Sequence, residues 1–319
     1  MPSKNKSNEL TLSRVYDAPV AAVWDAWTDP EQAAKWWGPR GFTITTHGKE
    51  LKPGGFWRYT MHGPDGVDYP NKTIYHEVEK HKRLVYDHGG SDDRPPMFRV
   101  TVTFEEIGEQ TRMEMTMAFP SPEEAIQAKK FIKTAGGHST WDRLAEYLTK
   151  EKNEREIFVI NRSFKASIDT MFEMWSNPRH VSRWMAPEGV RMEYIQADIA
   201  EGKTSFFKMT SDDNTLVMHG KIHYLKIKRP DYLEYSQSFS DEKGNLSKHP
   251  RVPTWPDHML TKVLLTKEGD DQTRVTLTWE PQGKVSAAEL KAFVEMRGSM
   301  TQGWTGSFDK LEALLGTEI

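Results

Sequence analysis

Two histidines, an arginine and a tyrosine are the residues of this chain best placed to do chemistry. His76 and His138 fall in segments expected to face an interior, where an imidazole can exchange protons near neutral pH. Arg58 and Tyr59, adjacent in the run FWRYTM, add a cation and a phenol. A reaction built on these groups would be a cyclisation, dehydration or hydrolysis of an enclosed molecule. Other chemistries lack their residues. With no cysteine there is no thiolate nucleophile, disulfide or iron–sulfur cluster. The eleven histidines give no H-E-x-x-H and no helical i, i+4 pair with a nearby third ligand, so no metal is expected. Neither G-x-S-x-G, G-x-G-x-x-G after a strand, nor G-x-x-x-x-G-K-[ST] occurs, and no cofactor is expected. Glu105-Glu106, Glu123-Glu124 and Asp212-Asp213 fall at turns or helix starts and read as solvated faces.

A second set of residues points to binding. Alternate residues of a strand share a face, so Met113, Met115, Met117 and Phe119 line one side of TRMEMTMAF. Trp57, Tyr59 and Met61 do the same in FWRYTM. Unbranched thioethers adapt to irregular apolar shapes. The stripe therefore reads either as plain core or as the lining of a cavity for a flexible apolar ligand.

These residues need elements to hold them. The strand LTLSRVYDAP is followed by VAAVWDAWTDPEQAAKWW, where Val20, Val23, Trp24 and Trp27 keep helical spacing until Asp29-Pro30 stops one helix and starts another. Period-two runs then alternate with Gly, Pro, Asp and Asn clusters, as in an antiparallel meander. Ser121-Pro122-Glu123-Glu124 opens a helix of about twenty-five residues, with Ile126, Phe131, Ile132, Ala135, Leu144 and Leu148 on its buried face. A sheet burying one face needs a cover, and only this helix is long enough.

The chain does this twice. Arg14–Gly41 aligns without a gap on Arg162–Gly189 at an offset of 148, sharing Arg14/Arg162, Ala18/Ala166, Trp27/Trp175, Pro30/Pro178, Trp36/Trp184, Pro39/Pro187 and Gly41/Gly189. Gly54 and Met61 match Gly202 and Met209 at the same offset; Thr111-Arg112 matches Thr273-Arg274 at 162, and Asp142 and Leu144 match Asp309 and Leu311 at 167. The offset grows because the second copy carries extra residues, mostly between Ser238 and His258, which read as a long loop. Two domains are expected, 1–151 and 152–319, within a charged stretch from Thr149 to Glu156. In the second copy the stripe is Val275, Leu277 and Trp279, with Phe207 and Met209 on the partner strand. The net charge, 43 − 46 = −3, disfavours nucleic acid or an anionic bilayer as partner. The N-terminus lacks an apolar run and no ~18-residue apolar span occurs. A soluble, cytoplasmic protein without membrane insertion is expected.

VWDAWTDPEQAAKWWGP, LKPGGFWRYTM, TRMEMTMAF and WDRLAEYL, with MFEMWSNPRHVSRWMAP and MTQGWTGSFDKLEALL in the second copy, resemble the activator of heat-shock-protein-90 ATPase homologue family, a START-like (SRPBCC) branch. The resemblance covers nearly the whole chain, twice. It implies an α+β fold of two tandem helix-grip domains, each a curved antiparallel sheet around a long C-terminal helix, with a cavity between them. It places Trp36 near the cavity mouth, as a gate or a packed anchor, and His76 and Phe131 toward the cavity. Two departures stand out: Gly303-Trp304 of the second terminal helix falls on Gly136-Gly137 in the first, and Gly54-Gly55 becomes Gly202-Lys203. No segment resembles the domain with which the eukaryotic co-chaperone grips its chaperone. The leading expectation is binding of a small apolar ligand, a lipid, polyketide or aromatic metabolite, by residues of the stripes and Trp304. A cavity enzyme and an interaction protein with a protein partner are the alternatives.

Overall fold

The structure, a computed structural model, describes residues 7–90, 94–134 and 138–318; the side chains at 131–134, 138, 317 and 318 lie outside this description. The chain divides into two compact units, Met1–Glu154 and Arg155–Ile319. No helix among the described residues is long and apolar enough to cross a membrane.

In the first unit, β1 (Glu9–Tyr16) leads into α1 (Val20–Thr28) and α2 (Pro30–Trp36). Asp29 makes the joint: its carboxylate accepts from the Glu31 and Gln32 amides, each at 2.9 Å, and Pro30 takes the first helical position. β2 (Thr43–Lys49), β3 (Phe56–His62), β4 (Asp68–Glu79), β5 (Arg83–Gly90), β6 (Phe98–Ile107) and β7 (Gln110–Ala118) follow, then α3 (Pro122–Thr134) and α4 (His138–Asn153). The strands form one antiparallel sheet in the order β1-β7-β6-β5-β4-β3-β2. α4 runs to Asn153, past the expected boundary at 151.

The second unit repeats the plan: β8 (Phe158–Phe164), α5 (Ile168–Ser176), α6 (Pro178–Trp184), β9 (Val190–Gln196), β10 (Thr204–Ser211), β11 (Val217–Lys228), β12 (Tyr232–Ser240), β13 (Met259–Lys267) and β14 (Thr273–Pro281). Its sheet runs β8-β14-β13-β12-β11-β10-β9. The terminal helix, expected in one piece, comes as α7 (Ala287–Glu295) and α8 (Arg297–Glu318). At Met296 ψ flattens to −4° and its amide turns to the Ala292 and Val294 carbonyls. Phe293 is held on one side of this bend by Trp255, 5.9 Å between ring centroids, and Arg297 on the other by Glu156 and the Ile157 carbonyl.

Residues shared by the two copies make the same bonds in each. Trp36 and Trp184, both fully buried, donate from Nε1 to the Ala26 and Met174 carbonyls at 2.9 Å. Thr111 and Thr273 donate to the Ala18 and Ala166 carbonyls at 2.8 and 2.9 Å. Gly54 and Gly202, both at φ 76°, donate to the Tyr75 and Tyr224 carbonyls at 2.8 Å. That φ is strained for any residue with a Cβ. Arg143 and its counterpart Lys310 clasp the loop after the second short helix, reaching the Pro39 and Pro187 carbonyls at 2.9 and 2.8 Å. Much of the internal repeat is therefore scaffold, pinning helices to sheet.

Candidate functional site

Between sheet and α8 of the second unit lies a cavity of about 310 Å³. The inner faces of β10, β11 and β12 supply Phe207, Met209, Met218, Ile222, Tyr235 and Phe239, and β13 and β14 add Met259 and Trp279. Met296, Met300, Gly303, Trp304 and Ser307 close it from the bent terminal helix, and Met185 and Pro187 from the end of α6. The wall is mainly thioether and aromatic carbon with few polar groups, the make-up of a small-molecule pocket.

Three local features give the cavity its shape. Gly220 pairs with Phe207 across β11 and β10, and a Cβ there would stand 2.5 Å from the Phe207 ring, so only glycine lets that ring lie flat against the strand. Trp304 stacks on Trp175 at 6.2 Å and meets Trp279 edge-on at 5.5 Å, which fixes the helix side of the wall. The connection between β12 and β13, a plain loop by sequence, brings in His249, Trp255, Pro256 and Asp257. Trp255 is buried, with 7% of its surface exposed. Its ring holds Phe293 on one side and lies 6.2 Å from His249 on the other. Asp257 is matched by Lys248 at 2.6 Å, so the wall carries no unpaired carboxylate from this loop.

Two positions of the first unit hold larger rings than their counterparts, while Trp279 falls on Met117 and Trp304 on Gly137. Trp37 stands where the second unit has Met185, and Trp57 where it has Ser205. Trp37 and Trp57 meet at 4.9 Å, Trp57 and Tyr59 at 4.3 Å, and Trp27, Trp36 and Trp141 continue the cluster. Trp57 and Tyr59 are almost fully buried. Met113, Met117 and Phe119 are core residues, Met115 and Met61 pack against that core partly exposed, and Phe119 lies 5.0 Å from Phe98. Trp36 is a packed anchor, with no exposed surface.

Lys49 borders this cluster. Its Nζ sits 4.0 Å from the Trp57 ring centroid and has no hydrogen-bond partner among the described residues. Burial pushes the ammonium down to about 7, against the pull of Asp29. The usual Lys value is ~10.4, so from about pH 7 to about pH 10 the unfolded chain binds more protons and stability rises with pH. Lys49→Met is expected to flatten that slope and to stabilise the chain at neutral pH. Urea unfolding at about pH 7 and about pH 9 checks this, and a slope unchanged in the variant would refute it.

Among the described residues, the predicted reactive groups of the first unit do not converge. Tyr75 takes the inner position on β4, so its neighbour His76 points outward and pairs with Asp87 at 2.8 Å, with Arg99 beside both. Arg58 is exposed on β3 while Tyr59 is buried. The side chains of Phe131 and His138, and Gly136-Gly137, lie outside the described residues. In the second unit Phe207, Met209, Trp279 and Trp304 line the cavity, whereas Leu277, with no exposed surface, is core beneath it. His249 and Trp255 were not anticipated. The available signal was two aromatic rings in a Pro- and Lys-rich insertion, where an exposed loop has little use for them.

Fold and cavity together define a tandem helix-grip protein of the START-like class. The family model described as "Activator of Hsp90 ATPase homolog 1-like protein" matches residues 17–149 and again 165–316, and the chain belongs to that family. Among solved structures, a protein from Nitrosomonas europaea is 26% identical, covering 47% of this chain and 99% of its own, at a TM-score of 0.43. One from Mycobacterium smegmatis is 27% identical over 46% of this chain and 96% of its own, at 0.42. The di-domain ARO/CYC BexL from the BE-7585A biosynthetic pathway covers 96% of this chain and 97% of its own at 11% identity and a TM-score of 0.39. No curated protein matches the chain significantly.

Proposed function

We propose that the second unit binds a small, largely apolar ligand in the cavity between its sheet and α8. The observation carrying this reading is the cavity itself. A space of about 310 Å³ lined mainly by thioether and aromatic carbon leaves apolar surface facing water that a bound ligand would cover. Its six methionines, Met185, Met209, Met218, Met259, Met296 and Met300, suit ligands of variable outline better than a rigid wall would.

Titration with neutral N-phenylnaphthylamine tests the proposal. One saturable site per chain with a blue-shifted emission is the expected result. A folded protein that leaves the dye's emission unchanged at every concentration would overturn it.

A further inference from the structure

The cavity wall holds one polar group whose protonation state is set by its bonds. His249 Nδ1 accepts from two backbone amides, Arg251 and Val252, each at 3.0 Å. A nitrogen that accepts twice carries no proton, so the proton of the neutral ring sits on Nε2. Adding a second proton would set Nδ1–H against two N–H donors. Burial disfavours the charged ring as well and pushes its pKa down. Phe239, at 4.7 Å and 74°, and Trp255, at 6.2 Å and 52°, flank the imidazole. Nε2 has no partner among the described residues. The ring is therefore a fixed, uncharged donor at the edge of an apolar wall, placed there by an insertion that the first unit lacks.

Resting on the ligand-binding reading above, we infer that His249 donates from Nε2 to a hydrogen-bond-accepting oxygen of the ligand, a ring ketone or similar carbonyl, so that the cavity selects apolar ring systems bearing such an oxygen over bare hydrocarbons. The lone pair that would make the ring a base is engaged at Nδ1, so its role is to hold and orient. A neutral donor also fits a neutral acceptor better than a carboxylate, since no Lys or Arg side chain is among the cavity's lining residues.

Fluorenone and fluorene, nearly equal in shape and differing by one carbonyl, test the inference by calorimetric titration of the full chain. The expected result is a preference for fluorenone of about fivefold, on the scale of one net hydrogen bond. In His249→Asn the side-chain oxygen can replace Nδ1 as acceptor for the two amides while the Nε2 donor is gone. Fluorene binding is expected to be unchanged and the preference to vanish. A long-range proton–nitrogen NMR correlation provides a second readout: the His249 Nε2 signal should move with fluorenone and stay with fluorene. Equal binding of both probes, a preference surviving in His249→Asn, or an Nε2 signal indifferent to fluorenone would overturn the inference and leave the cavity reading intact. Failure of both probes and of N-phenylnaphthylamine would overturn the cavity reading, and this inference with it.

Discussion

Met185→Trp is expected to abolish saturable dye binding while leaving the chain folded. The substitution writes into the second unit the residue the first has at the same place, where Trp37 packs against Trp57 at 4.9 Å. Met185 lines the cavity at the end of α6, in a wall that also includes Pro187 and Trp304. An indole there would take up the space a ligand needs, and with about 310 Å³ available it can do so without the strain of overfilling a packed core. Affinity should fall at least about tenfold, the equivalent of about 1.4 kcal/mol, with thermal stability unchanged or raised. Unchanged affinity in a folded Met185→Trp would place the dye elsewhere. A matched control is Leu277→Ala, which damages the core beneath the cavity: that variant should lose stability by about 2–5 kcal/mol.

In the first unit the largest stability effect is expected at Glu146. Arg40, from the loop after α2, reaches Glu146 on α4 with both guanidinium branches, at 2.9 and 2.6 Å. The two side chains are only 12% and 5% exposed. The second unit has no such pair, since its residues there are Glu188 and Ala313. Glu146→Ala would strip a buried guanidinium of its bidentate partner and leave Asp142 as the carboxylate still acting on it, a change expected to cost about 3 kcal/mol, the lower end for such sites. For a unit of roughly 150 residues this corresponds to a melting transition roughly 10 °C lower. Replacing both partners, Arg40→Met with Glu146→Leu, should recover most of the loss, because the penalty is that of an unpaired charge more than of a missing attraction. Calorimetry of the full chain separates these outcomes. A Glu146→Ala chain melting with the parent would show that the Arg40 charge is met by water or by Asp142 without Glu146.

How much of this was legible in the sequence depends on which residues carry it. The scaffold was, because Trp36, Thr111 and Gly54 recur as Trp184, Thr273 and Gly202 and make local, directional bonds that tolerate little change. The alternating faces were too, since Met113 and Met117 face inward with a period of two. His76, expected toward the cavity from its segment, points outward because Tyr75 takes the inner position on that strand. The cavity was harder to read. It is lined in part where the copies differ, as at Met185 for Trp37, so comparing identities passes over it. Its outer wall comes from a segment with no counterpart in the first copy. Periodicity is silent there, and only the contact of Trp255 with Phe293 and His249 reveals what the insertion does.

The most direct measurement is native mass spectrometry of the full chain purified from its own host, beside Met185→Trp prepared identically, with extraction of whatever denaturation releases. The expected result is one apolar small molecule per chain in the parent and none in the variant. A folded parent without any released compound, and without saturable uptake of N-phenylnaphthylamine, would contradict the account.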